Sequence, residues 1–331
     1  MMRNTRGFTL LELVLVLFIL GLLATISTSF IETEDGQLRF DDSLARLDAI
    51  PAAVYRRETL ANSPVLSGFV VDNGQLPPDP AMGHQLTPLI RQDGVWDAGD
   101  DFWLPRTPRL AYLSTEAGVS DPLDSGATPP PLYLLTKGFS GSYLDRVSVD
   151  TNNEYRDAWG DEFTVSVVAG DYTVSYDGAD AGAQPKPSPF NRIVARTIAQ
   201  DDWSVPLGDI DVTVLNQRAS ALPSDTYGAL LVFENNAGAT LGERWLTYHF
   251  NLDGLASGDD SNTISDVSAW SLDGVTGIDP AVARVPAGRH LFVVVQDPAG
   301  ADNVGTIFGG VQFLVIPRST QPSVTLELTT P

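Results

Sequence analysis

The chain has 331 residues, enough for two modest domains and an anchor, and a hydrophobic fraction of 43% supports globular folding despite a formal net charge of -22. Forty-two acidic residues face twenty basic ones, among which Lys137 and Lys186 are the only lysines. Such a surface repels phosphates, which excludes nucleic acid as a partner of the bulk surface. The absence of cysteine excludes disulfides, thiolate metal sites and cysteine nucleophiles together.

Phe8 to Phe30 is an apolar run whose only charge is Glu12. As a helix it spans roughly 34 Å, enough to cross a bilayer. It is longer than the apolar region of an ordinary secretory signal and lacks a small-residue exit, so it is expected to stay attached. Arg3 and Arg6 precede it while Glu32, Glu34 and Asp35 follow, which predicts a single membrane pass with the N-terminus in the cytoplasm and the remainder exported. A carboxylate within such a helix costs about 2.5 to 3.5 kcal/mol unless it is protonated, interfacial or paired. The string Arg6-Gly7-Phe8-Thr9-Leu10-Leu11-Glu12, between a basic leader and a long apolar run, resembles the type IV prepilin signature. That resemblance implies cleavage by a prepilin peptidase between Gly7 and Phe8, N-methylation of Phe8, and a Glu12 that neutralises the N-terminal amine of a neighbouring subunit during assembly. Residues 1–7 are then a cleaved leader and 8–30 a transmembrane helix.

An amphipathic continuation is predicted over 31–62, where Phe40, Leu44, Leu47 and Val54 recur at helical spacing. Gly36 and Pro51 interrupt it, and Asp41-Asp42-Ser43 has the composition of a capped restart, so a break or kink is expected.

Residues 63–190 read as a head. Asp72-Asn73-Gly74 followed by Pro77 and Pro78 predicts a turn. Asp157-Ala158-Trp159-Gly160-Asp161-Glu162-Phe163 leads into alternating Phe163, Val165 and Val167, a turn at Ala169-Gly170-Asp171, and alternating Tyr172, Val174 and Tyr176, which predicts a β-hairpin with one apolar face. With Ser175 to Asp180 this stretch resembles the head of the major pseudopilin of type II secretion, although Ala158 stands where that family has proline. The same resemblance implies a calcium ion held in the loop after the Gly178-Ala179-Asp180 element, with Asp180 at the matching position and Asp177, Asp201 or Asp202 as further ligands. The proline-rich stretch at about 80–150, holding Trp96 and Trp103, reads as an insertion of irregular surface loops elaborating the head.

The prolines of Gln184-Pro185-Lys186-Pro187-Ser188-Pro189 suggest an extended linker. Beyond it, over 202–331, apolar strands are predicted at Ile210 to Leu215, Ala229 to Phe233, Trp245 to Phe250, His290 to Val295, Val311 to Ile316 and Val324 to Leu328, a pattern that suits a β-sandwich. The fold class is therefore α+β: a long N-terminal helix, an antiparallel β head and a C-terminal all-β domain.

His84, His249 and His290 are scattered, and no H-E-x-x-H or G-x-S-x-G motif occurs, so no catalytic constellation emerges and the chain reads as a non-enzyme. The resemblance implies a structural subunit, read here as a minor one, of a type IV pilus or a type II secretion pseudopilus. Its expected partners are the prepilin peptidase, other pilin subunits and the inner-membrane assembly platform, with a secreted substrate or surface ligand beside them. The competing reading is a membrane-tethered periplasmic binding or adhesion module that uses the same export route.

Overall fold

The computed structural model describes residues 10–61, 63–77, 86, 89–90, 104, 106–114, 120–123, 131–144, 155–178, 186–236, 242–261, 270–272, 275–276, 278–296, 306–319 and 323–329, with the backbone alone at 26–33, 112, 114, 120–122, 236, 242–243 and 275–276. Within these residues the protein is mixed α/β, with a mostly β body and few helices.

One helix runs unbroken from Leu10 to Val54. Phe40, Leu47, Ile50 and Val54 lie on one stripe and are buried in the head core, together with Phe69, Phe163, Tyr172, Val174, Tyr176 and Phe190. The break expected at Gly36, Asp41-Ser43 or Pro51 does not occur, and each site has a local reason. At Gly36 a Cβ would come within 2.7 Å of the Phe190 ring, so the glycine permits close packing rather than ending the helix. Ser43 is no cap: its hydroxyl donates to the Arg39 carbonyl at 2.8 Å and accepts from the Ala158 N–H at 3.0 Å, pinning the helix to the head. Pro51 falls in the last turn, where its carbonyl still accepts from the Tyr55 N–H at 2.9 Å. The helix therefore ends at Val54, short of the expected 62. Arg56–Leu60 and Ser63–Ser67 pair as an antiparallel hairpin in its place.

The head sheet has three antiparallel strands, Thr164–Val168, Asp171–Tyr176 and Val194–Ile198. Val165 faces Val174 and Val167 faces Tyr172 across the expected hairpin, whose turn holds Ala169 and Gly170 at φ 52 and 84. Two successive positive φ values suit the tight turns whose twist matches that of the strands.

Beyond residue 200, a six-stranded antiparallel sheet runs in the order Val275–Thr276, Ser271–Leu272, Gly242–Asn251, Thr226–Asn236, Gly288–Gln296, Ile307–Val315. All six strands expected from the sequence are present at or near their positions. On one face, Leu230, Val232, Phe250, Phe292 and Val294 pack with Val212, Val214, Val324, Leu326 and Leu328, which come from the parallel pair Asp211–Asn216 and Ser323–Leu328. On the other, Ala229, Leu231, Phe233, Leu291, Val293 and Val295 pack with Ala111, Leu113, Leu123 and Leu135. Those four belong to the stretch expected to elaborate the head as irregular loops. Its described part instead contains the short strands Thr107–Leu110, Tyr112–Ser114, Ser120–Pro122 and Leu134–Lys137, whose neighbouring apolar side chains cover the second face of the large sheet. The cause is physical: strands with both faces apolar need two covers, and the parallel pair supplies only one.

A buried polar junction joins the two regions. The Asn235 side-chain amide donates to Asn73 Oδ1 at 2.7 Å, and Asn73 in turn donates to the Phe69 carbonyl at 3.0 Å. The Lys137 ammonium donates to the Val71 carbonyl at 2.8 Å. Gly74, at φ 76, ends the short helix Phe69–Asn73, and a Cβ there would overlap the Phe233 carbonyl. Only glycine satisfies both the left-handed backbone and that approach.

Candidate functional site: the N-terminal helix and the cation of the head loop

The outer part of the long helix is apolar on every side. Leu10, Leu11 and each residue from Leu13 to Leu20 expose between 45% and 82% of their surface. A helix that is hydrophobic all round requires apolar surroundings on all sides. Glu12 lies in the first turn of the described helix and is exposed among these residues. Gly7 and Phe8, the expected cleavage pair, lie outside the described residues. Among the described residues no helix is long and apolar enough to cross a membrane. The apolar part described with its side chains, Leu10 to Thr25, is about 24 Å long at 1.5 Å per residue. The expected span of 8–30 extends beyond it at both ends.

The inner part of the helix is locked onto the head by polar contacts as well as by its apolar stripe. Arg46 donates to the Arg156 carbonyl at 2.9 Å and pairs with Asp42 at 2.7 Å, and Arg196 reaches Asp48 at 2.6 Å. These contacts fix the direction in which the outer part projects.

The second feature is a buried cation near the site where calcium was expected. Lys186, from the proline-rich linker, places its ammonium 3.0 Å from Asp157 Oδ2 and 2.7 Å from Asp161 Oδ2. It donates to the Asp177 carbonyl at 2.8 Å and stands 4.4 Å from the centre of the Tyr176 ring. Burial lowers the pKa of this amine, but the Asp161 and Asp157 carboxylates outweigh it and leave the pKa above the ordinary lysine value. Asp157 is itself held by the Trp159 and Asp161 N–H groups, which donate to its Oδ1 at 2.9 and 2.8 Å. This explains the Asp-x-Trp-Gly-Asp string: both aspartates anchor the turn and face the lysine. Of the expected calcium ligands, Asp180 lies outside the described residues and Asp177 offers its carbonyl to Lys186. Asp201 and Asp202 pair instead with Arg284 and Arg318. Among the described residues no group of three or more histidine, aspartate or glutamate side chains could hold a metal ion. The oxygens of Asp157, Asp161 and the Asp177 carbonyl that surround this place thus serve an ammonium.

Sequence reasoning also missed the junction groups. His290 is fully buried, with Nε2 2.7 Å from the Pro286 carbonyl, and burial followed by the charge of Lys137 lowers its pKa to about 3. Burial lowers the Lys137 amine to about 8, against a smaller upward pull from Asp72. Burial and the Asp72 charge raise the Tyr143 hydroxyl, which donates to Asp72 Oδ2 at 3.1 Å.

A mostly β body carried on one long helix, apolar and exposed at its outer end, defines a class of protein that projects or anchors its body through that helix. Residues 2–28 match the family described as the prokaryotic N-terminal methylation motif. The chain thus carries a type IV pilin or pseudopilin-type signal, which implies dealings with a prepilin peptidase and other pilin subunits and a membrane-anchored, pilus-related placement. No curated protein and no solved structure matches the chain.

Proposed function

We propose that the chain is a structural subunit of a type IV pilus or type II secretion pseudopilus, cut between Gly7 and Phe8, methylated on Phe8 and assembled through its helix with Glu12 as the register charge. The observation that carries this reading is the methylation motif at 2–28, which overlaps a helix that exposes apolar side chains from Leu10 to Leu23 around the single charge of Glu12 and that is bound to a head farther along. Such an outer half suits the inner membrane before assembly, with the N-terminus cytoplasmic, and the packed helices of neighbouring subunits afterwards. Gly7→Glu blocks the peptidase in this scheme. N-terminal mass spectrometry on cells with an active peptidase is expected to show only the uncut precursor, and mature-length protein from that variant counts against the proposal.

The subunit is a minor one on steric grounds. Major subunits pack their heads side by side, and this head also carries the large sheet and its covering strands, joined to it through the Asn73–Asn235 hydrogen bond. Immunogold labelling is expected at filament ends or at rare points, and uniform label along filaments would refute the minor role. The size of the β body also favours a second reading, a tethered binding or adhesion module on the same export route. Trace rather than stoichiometric recovery with sheared filaments, with label absent from them, distinguishes that case.

A further inference from the structure

The head contains a cation that cannot leave. Lys186 has 1% of its side chain exposed, and its ammonium lies within 3.0 Å of three oxygens from two parts of the chain: Asp157 Oδ2 and Asp161 Oδ2 of one turn, and the Asp177 carbonyl. We propose that the Lys186 ammonium is a tethered replacement for a bound calcium ion, clamping the turn at 155–163 to the end of the strand Asp171–Tyr176 and to the segment from 186 to 190, and that it makes the head independent of divalent metal.

Three observations carry the proposal. The oxygens are hard donors, two carboxylates and a carbonyl, which is the chemistry that recognises calcium. Asp157 cannot turn away when its cation is lost, because two backbone N–H groups hold its other oxygen. The segment brought in by Lys186 carries Phe190, whose ring packs against Phe40 of the long helix at 5.6 Å between centroids and sits over Gly36. The Tyr176 hydroxyl donates to the Phe190 carbonyl at 3.0 Å, so the clamp and the helix contact form one continuous unit. A free ion competing for this site has to displace a covalently attached one, whose effective concentration is far above that of any solute.

Removing the ammonium leaves two buried carboxylates side by side, a strongly unfavourable arrangement that a divalent cation relieves. The test uses the full-length chain in detergent micelles, melted in chelator and in millimolar calcium. The natural chain is expected to melt at the same temperature in both. Lys186→Ala is expected to melt several degrees lower in chelator and to recover part of the loss with calcium, in proportion to the logarithm of its concentration. Terbium, used as a luminescent probe beside Trp159 and Tyr176, is expected to be silent on the natural chain and to light up on Lys186→Ala. If Lys186→Ala folds in neither buffer, Lys186→Arg decides: calcium-insensitive melting supports the tethered cation. A natural chain or Lys186→Arg whose melting rises with calcium overturns it, as does a Lys186→Met variant that melts like the natural chain.

Discussion

Glu12→Ala inserts into the membrane at least as well as the natural chain and is lost from filaments. In the membrane, the substitution removes a carboxylate that costs about 2.5 to 3.5 kcal/mol in an apolar helix, so insertion improves or is unchanged. In a filament built as proposed, the same carboxylate meets the methylated amine of Phe8 on a neighbour. Removing one partner of a buried ion pair leaves the other charge uncompensated, at a cost of about 3 to 5 kcal/mol. Incorporation is then expected to fall by two orders of magnitude or more, since each 1.4 kcal/mol is a factor of ten. Resistance to alkaline extraction reads the first effect and quantification in sheared filaments reads the second. Normal recovery of Glu12→Ala in that fraction would remove the register role from Glu12. Gln is a useful companion substitution, because it retains the shape while deleting the charge.

Acid weakens the junction between the head and the large sheet. His290 has a pKa of about 3 in the folded chain against an ordinary value of 6.5, so the folded state disfavours the proton that the unfolded chain accepts. Its contribution is complete above pH 6.5 and is lost as pH falls through 3. At about 1.36 kcal/mol per pKa unit the full loss is on the order of 5 kcal/mol. Lys137, with a pKa of about 8 against 10.5, acts in a second window: the unfolded chain holds the proton longer, so stability rises with pH between those values. His290→Gln keeps a donor for the Pro286 carbonyl and does not titrate. Urea unfolding of the natural chain at pH 7 and pH 4 is expected to show a larger difference than the same pair of measurements on His290→Gln. Equal differences would mean that other groups, chiefly carboxylates, carry the whole acid limb.

Much of this architecture was legible in the chain, and the parts that were not have identifiable causes. The N-terminal signal was readable because its residues are local and the apolar run admits one charge. The strands after residue 200 were readable because Ala229–Phe233 and Leu291–Val295 are unbroken apolar runs. The same runs contain information that alternation would not: a strand apolar on both faces must be covered on both, which requires a further layer from elsewhere in the chain. Ala111, Leu113, Leu123 and Leu135 belong to that layer, and the prolines and short strands around them hid it. Gly36, Ser43 and Pro51 misled as helix breakers, since propensity is local and Phe190, Ala158 and the helix terminus decide their effect. Lys186 looked like part of a linker because nothing in a proline-rich string announces two aspartates some twenty-five residues upstream.

The covering layer also bears on the order in which the protein can fold. Ala111, Leu113, Leu123 and Leu135 precede their partners Ala229–Phe233 and Leu291–Val295 in the chain. A polypeptide that leaves the membrane from its anchor outward therefore presents these apolar strands before the sheet that receives them has emerged. Their closure awaits the last third of the sequence, and the intervening head hairpin can form first because its contacts are close in sequence. If the body is exported as proposed, translocation leaves a period in which adhesive strands are bare, when a holding chaperone would act and when truncation after the head would strand them permanently.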